Sequence, residues 1–359
     1  MIYLDNASTT PISPAAEFAL VSMLKSFGNP SNFYSLGVKT HQLLDAARRT
    51  IAKCLNCSPE EIYFTSGASE GNAWALSQRA NRYCSRREHH SVNDYPGCIK
   101  ISGEDIKRLN ENEDIKNSVI AWILVNNETG EISRVPFSDA WKDLKCLKHI
   151  DATQAIGHIP VDLQKTDCDS LSFSAHKFGG PKGVGVLYIN KRADYKPLII
   201  GSQQNGMRGG TENVPGIVAM SIALENTIKR EQESRQYYQE LKDAALSALT
   251  ELPFNMWHVN RGAANTSNIL SVSFKNVSAE AVVLAMQSED IFVGMGSACN
   301  TGNLDPSWVL TDMGVPADFI YGTIRISFGP QNTKEEVETA MRKITSFVWR
   351  TWNAHSNLC

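Results

Sequence analysis

Two groups able to manage charge at a reacting carbon stand 26 residues apart: Asp151 in His149-Ile150-Asp151-Ala152-Thr153-Gln154, and Lys177 in Ser174-Ala175-His176-Lys177. Asp151 closes an apolar strand-like run, and Lys177 is followed by the turn Gly179-Gly180-Pro181-Lys182-Gly183. Taken singly, Asp151 is a strand-end cap and Lys177 a solvated amine. Together they supply what a pyridoxal cofactor needs. The amine forms a Schiff base, and the carboxylate keeps the pyridine nitrogen protonated so that the ring can accept electrons from a carbanion.

Two further stretches carry chemistry. Thr65-Ser66-Gly67-Ala68-Ser69-Glu70 is a small-residue turn opening a helix, where free backbone N–H groups and the positive end of the helix dipole suit a phosphate. Alone it reads equally as an ordinary helix cap. Gly294-Met295-Gly296-Ser297-Ala298-Cys299-Asn300-Thr301-Gly302-Asn303 places one thiol in a Gly/Ser/Asn-rich loop, where a cysteine can travel to a substrate. An incidental loop cysteine is the plainer reading of that stretch when it stands by itself.

The elements that must position these groups follow an α/β pattern. Short β-branched runs, 118–125 and 184–189, alternate with helical stretches at 39–55 and 69–80. Beyond residue 228 the texture changes to a charged helical segment through Leu249, a strand at 269–274 and a helix near 279–286. The expected organisation is a large domain, 11–231, with a mostly parallel central sheet, and a smaller α+β domain from 1–10 and 232–359 that carries the cysteine loop. With 42% apolar and 20% charged residues and a net charge of −3, the chain has ample core material and no basic footprint, so nucleic acid is not an expected ligand. No apolar run reaches membrane-spanning length, and the first residues lack a secretory pattern, so the expected compartment is the cytoplasm. Eight dispersed cysteines read as reduced thiols. Cys54 and Cys57 form a lone Cys-x-x-Cys without two further ligands, so no metal is expected. His41, His149, His158 and His258 read as core or surface residues, and Glu231, Glu233 and Glu240 as a solvated helix face.

These pieces, met in order with Tyr3-Leu4-Asp5-Asn6-Ala7-Ser8-Thr9-Thr10-Pro11, Gly28-Asn29-Pro30-Ser31, Glu88-His89-His90-Ser91-Val92, Val125-Asn126-Asn127-Glu128-Thr129-Gly130, Arg208-Gly209-Gly210-Thr211-Glu212-Asn213 and Ile324-Arg325-Ile326-Ser327-Phe328-Gly329, resemble the cysteine desulfurases of the NifS/IscS type. That family lies in the class V aminotransferase branch of fold-type I pyridoxal-phosphate enzymes. The resemblance covers nearly the whole chain and implies the α/β fold-type I architecture.

By motif it implies that Lys177 forms the Schiff base, Asp151 pairs with the pyridine nitrogen, Gln154 bonds the phenolic oxygen and His89 stacks on the ring. Ala68, Ser69, Ser174 and His176 would hold the phosphate, with Thr211 reaching in from the second subunit of a homodimer. Arg325 would take the α-carboxylate of L-cysteine, where a planar fork pairs with two oxygens, and Asn127 would support it. An arginine in such a strand can also serve as a structural ion-pair partner. Cys299 would receive the sulfur as a persulfide and pass it to an acceptor protein, with His89 as acid/base near the substrate thiol and alanine as product. Iron–sulfur cluster assembly, tRNA thiolation and DNA modification are among the destinations that the resemblance leaves open for such sulfur.

The same cofactor would also serve a selenocysteine lyase or a cysteine C–S lyase, and a non-catalytic paralogue would be a structural partner. The sequence departs from the family pattern at Tyr34, where relatives commonly have His, and in a polar stretch, Tyr83-Cys84-Ser85-Arg86-Arg87, where a buried strand is expected and the large domain reads as trimmed.

Overall fold

The computed structural model describes residues 1–296 and 306–356. The chain divides into two compact units, one of residues 10–125 and 133–231 and the other of residues 1–9, 126–132 and 232–359.

In the first of these units the strands are β2 (Ile62–Thr65), β3 (Asn81–Ser85), β4 (Cys98–Ile101), β5 (Ser118–Ile123), β6 (Leu147–Asp151), β7 (Ser170–Ser174) and β8 (Gly185–Ile189), following β1 (Ile2–Leu4) of the other unit. They form one sheet in the order β2-β8-β7-β6-β5-β3-β4, in which only β8 runs against the rest. Strands β5, β6, β7 and β8 are buried along their whole length, as strands covered on both faces must be. The helices of this unit are α1 (Pro14–Met23), α2 (Ser35–Leu55), α3 (Ala68–Leu76), α4 (His90–Asn93), α5 (Asp105–Leu109), α6 (Asp139–Lys142) and α7 (Val214–Lys229). In α2, Leu44, Ala47, Ile51 and Leu55 recur at helical spacing and are buried, and the helix stops where Asn56 turns left-handed at φ 57°.

The second unit has a five-stranded sheet in the order β1-β11-β12-β10-β9, from β9 (Trp257–Val259), β10 (Ile269–Phe274), β11 (Ile291–Met295) and β12 (Thr323–Ser327). Its helices are α8 (Glu231–Leu249), which starts on the last residue of the first unit, α9 (Ala279–Gln287), α10 (Trp308–Asp312), α11 (Ala317–Ile320) and α12 (Lys334–Ser356). The core joins Leu241, Ala245 and Leu249 of α8 to Val272 and Phe274 of β10, Ile324 and Ile326 of β12, and Met341 and Ile344 of α12.

Four expectations change. Residues 126–132 fall outside the large unit that 11–231 would give, and Thr10 falls inside it. The reason is hydrogen bonding: Ile132 N–H donates to Ala264 O, Thr266 N–H to Gly130 O, and Gly130 is left-handed where a Cβ would meet Thr266 Oγ1 at 2.9 Å. The helix expected over 69–80 ends at Leu76 because Ser77 Oγ and Gln78 Nε2 both donate to Trp74 O and satisfy its last turn. The polar stretch from Tyr83 contains an interior strand, since Cys84 and Ser85 of β3 are buried between β5 and β4 while Arg82 leans outward over the Tyr95 ring. Glu231 is buried, whereas Glu233 and Glu240 are exposed as expected.

Candidate active site

In an open sheet of this kind the carboxyl ends of the parallel strands are where a ligand is received. Four of those ends carry the expected residues. β2 runs through Thr65 into the Gly67 cap of α3, β3 leads to Glu88 and His89, β6 ends on Asp151, and β7 ends on Ser174 before the turn Ala175–Lys177.

At the first end, Ala68 N–H donates to Ser174 Oγ at 2.7 Å, so two of the four residues expected at the phosphate already touch. Glu70 folds back to accept from Ser66 N–H at 2.8 Å and is gripped by Arg208 through Nε at 2.9 Å and Nη2 at 3.0 Å. Those bonds hold the Glu70 carboxyl below its ordinary value although burial pushes it up. The pair neutralises an acid at the very helix end where an anion would sit, and it tethers the Arg208–Thr211 segment, in which Thr211 is exposed.

The Lys177 turn is clamped from the N-terminal motif. Thr10 N–H and Thr10 Oγ1 both donate to His176 O, at 2.9 and 3.0 Å, and Gly179 N–H donates to Thr10 Oγ1 at 2.8 Å. Lys177 and His176 are half-buried, and burial together with the Lys177 and Lys182 charges lowers the His176 imidazole to about 4, so it is neutral near pH 7. Gln154 is buried.

Asp151 accepts from Thr153 N–H at 2.9 Å on one oxygen and from Asn72 Nδ2 at 2.8 Å on the other. His89 caps α4, its Nδ1 accepting from Ser91 N–H at 3.1 Å, which leaves the ring proton on Nε2. Surrounding protein crowds this ring although its outer side stays open. That desolvation lowers its pKa, with Lys177 and His90 acting in the same sense and Asp151 and Asp94 opposing.

The donor set suits pyridoxal phosphate: an amine, a carboxylate two bonds from saturation, a neutral imidazole with an open face, and a helix N-terminus whose nearby acid is paired. Thr153 Oγ1, next to the backbone N–H that holds Asp151, is buried with no hydrogen-bond partner among the described residues, a polar atom left for a bound group.

Arg325 and Asn127, the residues expected at the substrate carboxylate, belong to the other unit. Arg325 on β12 is buried, donating from Nη1 to Asn127 O at 2.8 Å and from Nη2 to Asp5 Oδ1 at 2.7 Å. Its Nε is buried with no partner among the described residues. Asp5 thus supplies the ion pair of the structural reading, and Nε remains a buried donor. Gly294 of β11 lies opposite Arg325, and a Cβ there would meet Asp5 Oδ1 at 2.5 Å and Arg325 Nη2 at 3.1 Å. Glu128, one residue beyond Asn127, is buried and accepts from Ser307 Oγ at 2.6 Å; burial pushes its carboxyl up to about 7. Cys299 falls within 297–305, outside the described residues.

Several supporting residues escaped the sequence reading: Thr10, Asn72, Ser91, His149, Asp5 and Glu70 with Arg208. Most lie inside the quoted motifs, and His149 shares a strand face with Asp151 by the two-residue period, which is the signal that was available for it.

The chain matches the aminotransferase class-V family over residues 2–92 and 102–339. It is 34% identical to a cysteine desulfurase IscS from Methanosarcina thermophila over 98% of this chain and 93% of that protein. Among solved structures, a NifS-like protein superposes with a TM-score of 0.86 at 31% identity, covering 97% of this chain and 99% of that one. SspA in complex with cysteine superposes at 0.74 and 27% identity, covering 93% of this chain and all of the other, 100%.

Proposed function

Because the chain belongs to the class-V aminotransferase family, among its NifS/IscS-type cysteine desulfurases, we propose that it uses pyridoxal phosphate to take sulfur from L-cysteine and carries it as a persulfide on Cys299. The observation that supports this most directly is the convergence of Lys177, Asp151, His89 and the α3 N-terminus at the carboxyl ends of parallel strands in one mostly parallel sheet. When bound, the cofactor supplies an electron sink for charge developing at the substrate's α-carbon.

The chain's own residues do the rest. Ala68, Ser69, Ser174 and His176 hold the phosphate, Gln154 the phenolic oxygen, and Asp151 a proton at the pyridine nitrogen. Lys177 Nζ moves the α-proton. Arg325, supported by Asn127, holds the α-carboxylate and so orients the molecule. His89 offers a proton at Nε2 towards the substrate sulfur. The Cys299 thiolate attacks that sulfur and the carbon–sulfur bond breaks with its electron pair left on carbon. The β-carbon then takes up a proton and Lys177 Nζ returns one to the α-carbon, giving L-alanine and a persulfide.

The reading includes a homodimer in which Thr211 completes the partner's phosphate site. It is supported by Phe18, Leu24, Phe27, Phe33, Leu36 and Ile200, large apolar side chains exposed in this chain. It includes a cytoplasmic location, supported by the free thiols of Cys54, Cys57, Cys84, Cys98, Cys146 and Cys168. It also includes an acceptor protein that draws on the persulfide for iron–sulfur cluster assembly or tRNA thiolation. Among the described residues no helix is long and apolar enough to cross a membrane.

Mass spectrometry after incubation with L-cysteine is expected to show one added sulfur on the peptide containing Cys299, and Cys299→Ala to abolish transfer. Unchanged sulfur release from Cys299→Ala would point instead to simple C–S elimination. A purified protein with no visible band abolished by Lys177→Ala would point to a non-catalytic paralogue.

A further inference from the structure

The network behind Asp151 has one consistent direction for its protons. Asn72 of α3 is wholly buried, and its amide nitrogen lies 2.8 Å from Asp151 Oδ2 and 2.9 Å from Ser91 Oγ. A carboxylate only accepts, so the nitrogen, not the oxygen, must face Asp151. The amide oxygen then faces His149 Nε2 at 2.9 Å and Ser172 Oγ, and both must donate. His149 is wholly buried and its imidazole is lowered to about 4, so it is neutral with its one proton on Nε2. Its Nδ1 consequently accepts from Ser170 Oγ at 2.7 Å, and Ser170 in turn accepts from Tyr195 at 2.7 Å.

On the other side, Ser91 Oγ receives the second Asn72 N–H and lies 2.9 Å from His89 Nδ1. Since Nδ1 already accepts from Ser91 N–H, the hydroxyl donates to it as well. Aspartate would set a second carboxylate against Asp151, and leucine would strand four polar partners. Gly71 makes the reach possible, since any Cβ there would meet Ser172 Cβ at 2.9 Å and push α3 off the sheet.

Accordingly we infer that Asn72 is a positioning residue that fixes Asp151 and His89 in one proton arrangement, directly for the first and through Ser91 for the second. The inference rests on the cofactor reading for the roles of those two residues, but the coupling itself is a property of the apoprotein. The groups facing His89 are Asp151, Lys177, His90 and Asp94, and the Ser91 branch adds the acceptor preference at Nδ1.

The test uses the full-length protein and four variants: Asn72→Ala, Asn72→Asp, Ser91→Ala and Ser91→Thr. In the apoprotein, nitrogen NMR of the imidazoles is expected to show His89 protonated on Nε2, with Ser91→Ala and Asn72→Ala raising the Nδ1 tautomer and Ser91→Thr restoring the original state. In the holoenzyme, Asn72→Ala is expected to weaken pyridoxal-phosphate affinity by about tenfold and shift the pH midpoint of the visible band, with Asn72→Asp worse. Ser91→Ala is expected to move only the acid limb of kcat/KM and to leave cofactor affinity within about twofold. A folded Asn72→Ala protein with wild-type His89 tautomers and wild-type cofactor titration overturns the inference, as does a Ser91→Ala protein that loses cofactor affinity as Asn72→Ala does. Should the wild-type protein take up no cofactor, the functional reading falls, and the apoprotein tautomers alone then uphold or overturn the coupling.

Discussion

Replacing Arg208 with alanine would leave the Glu70 carboxylate without its cation at the N-terminus of α3. The two side chains are joined by two parallel bonds of 2.9 and 3.0 Å and are only 20% and 11% exposed. Breaking a fully buried pair by removing one partner costs roughly 3–5 kcal/mol, and an exposed one roughly 0–1. At this degree of burial about 2 kcal/mol is expected for Arg208→Ala. Glu70→Gln keeps an acceptor for Ser66 N–H but leaves the guanidinium without its charge partner, at about 1.5 kcal/mol. The double variant has neither stranded charge and should cost no more than about 2 kcal/mol, a coupling of about 1.5 kcal/mol.

Urea unfolding of the apoprotein at pH 7, followed on one transition for all four proteins, measures this cycle. The native Glu70 carboxyl lies below its ordinary value of 4.5, so the coupling is present above pH 4.5 and is lost as pH falls through the lowered native value. Cofactor affinity is a second reading of the same cycle. Arg208→Ala leaves an uncompensated negative charge where the phosphate is received, and adding Glu70→Gln should recover part of that loss. Additivity within about 0.5 kcal/mol, together with no recovery of affinity, would refute the reasoning.

Two other perturbations follow from the geometry. Glu128 is raised by burial from 4.5 to about 7, so the native state holds its proton longer than the unfolded chain. The stability it contributes is present below pH 4.5 and is lost as pH rises through about 7, by up to about 3 kcal/mol. Glu128→Gln, which can still accept from Ser307, should flatten that fall between pH 5 and 8 in thermal melts, and an unchanged slope would contradict the assignment. Thr10→Val keeps the side chain's shape but removes the acceptor for Gly179 N–H and a donor to His176 O. It should cost about 1–2 kcal/mol and lower kcat more than it raises KM, because it loosens the Lys177 turn and not the carboxylate site. Equal kcat values would remove Thr10 from that role.

Much of this molecule was legible in the amino-acid order, for a local reason. The residues expected to serve as cofactor lysine, carboxylate partner and phosphate-binding helix start lie in short motifs that are ambiguous singly and informative together. Lys177, Asp151 and the turn from Thr65 could therefore be singled out as a set from residue types and spacing. The alternation of buried runs with helices was equally plain, because parallel strands covered on both faces must be apolar throughout. Element ends were less so. The stop of α3 at Leu76 depends on Ser77 and Gln78 reaching back to one carbonyl, which no periodicity announces.

What tertiary structure alone decided is pairing across distance. Residues 126–132 leave the sheet unit because their hydrogen bonds go to Ala264 and Thr266, more than a hundred residues on. Arg325 is shared between Asp5 and Asn127, and Glu70 meets Arg208, only because the chain returns. The proton arrangement around Asn72 follows from which atom faces which. Amino-acid types state what each group can donate or accept, and only the packed fold states which of those capacities is used.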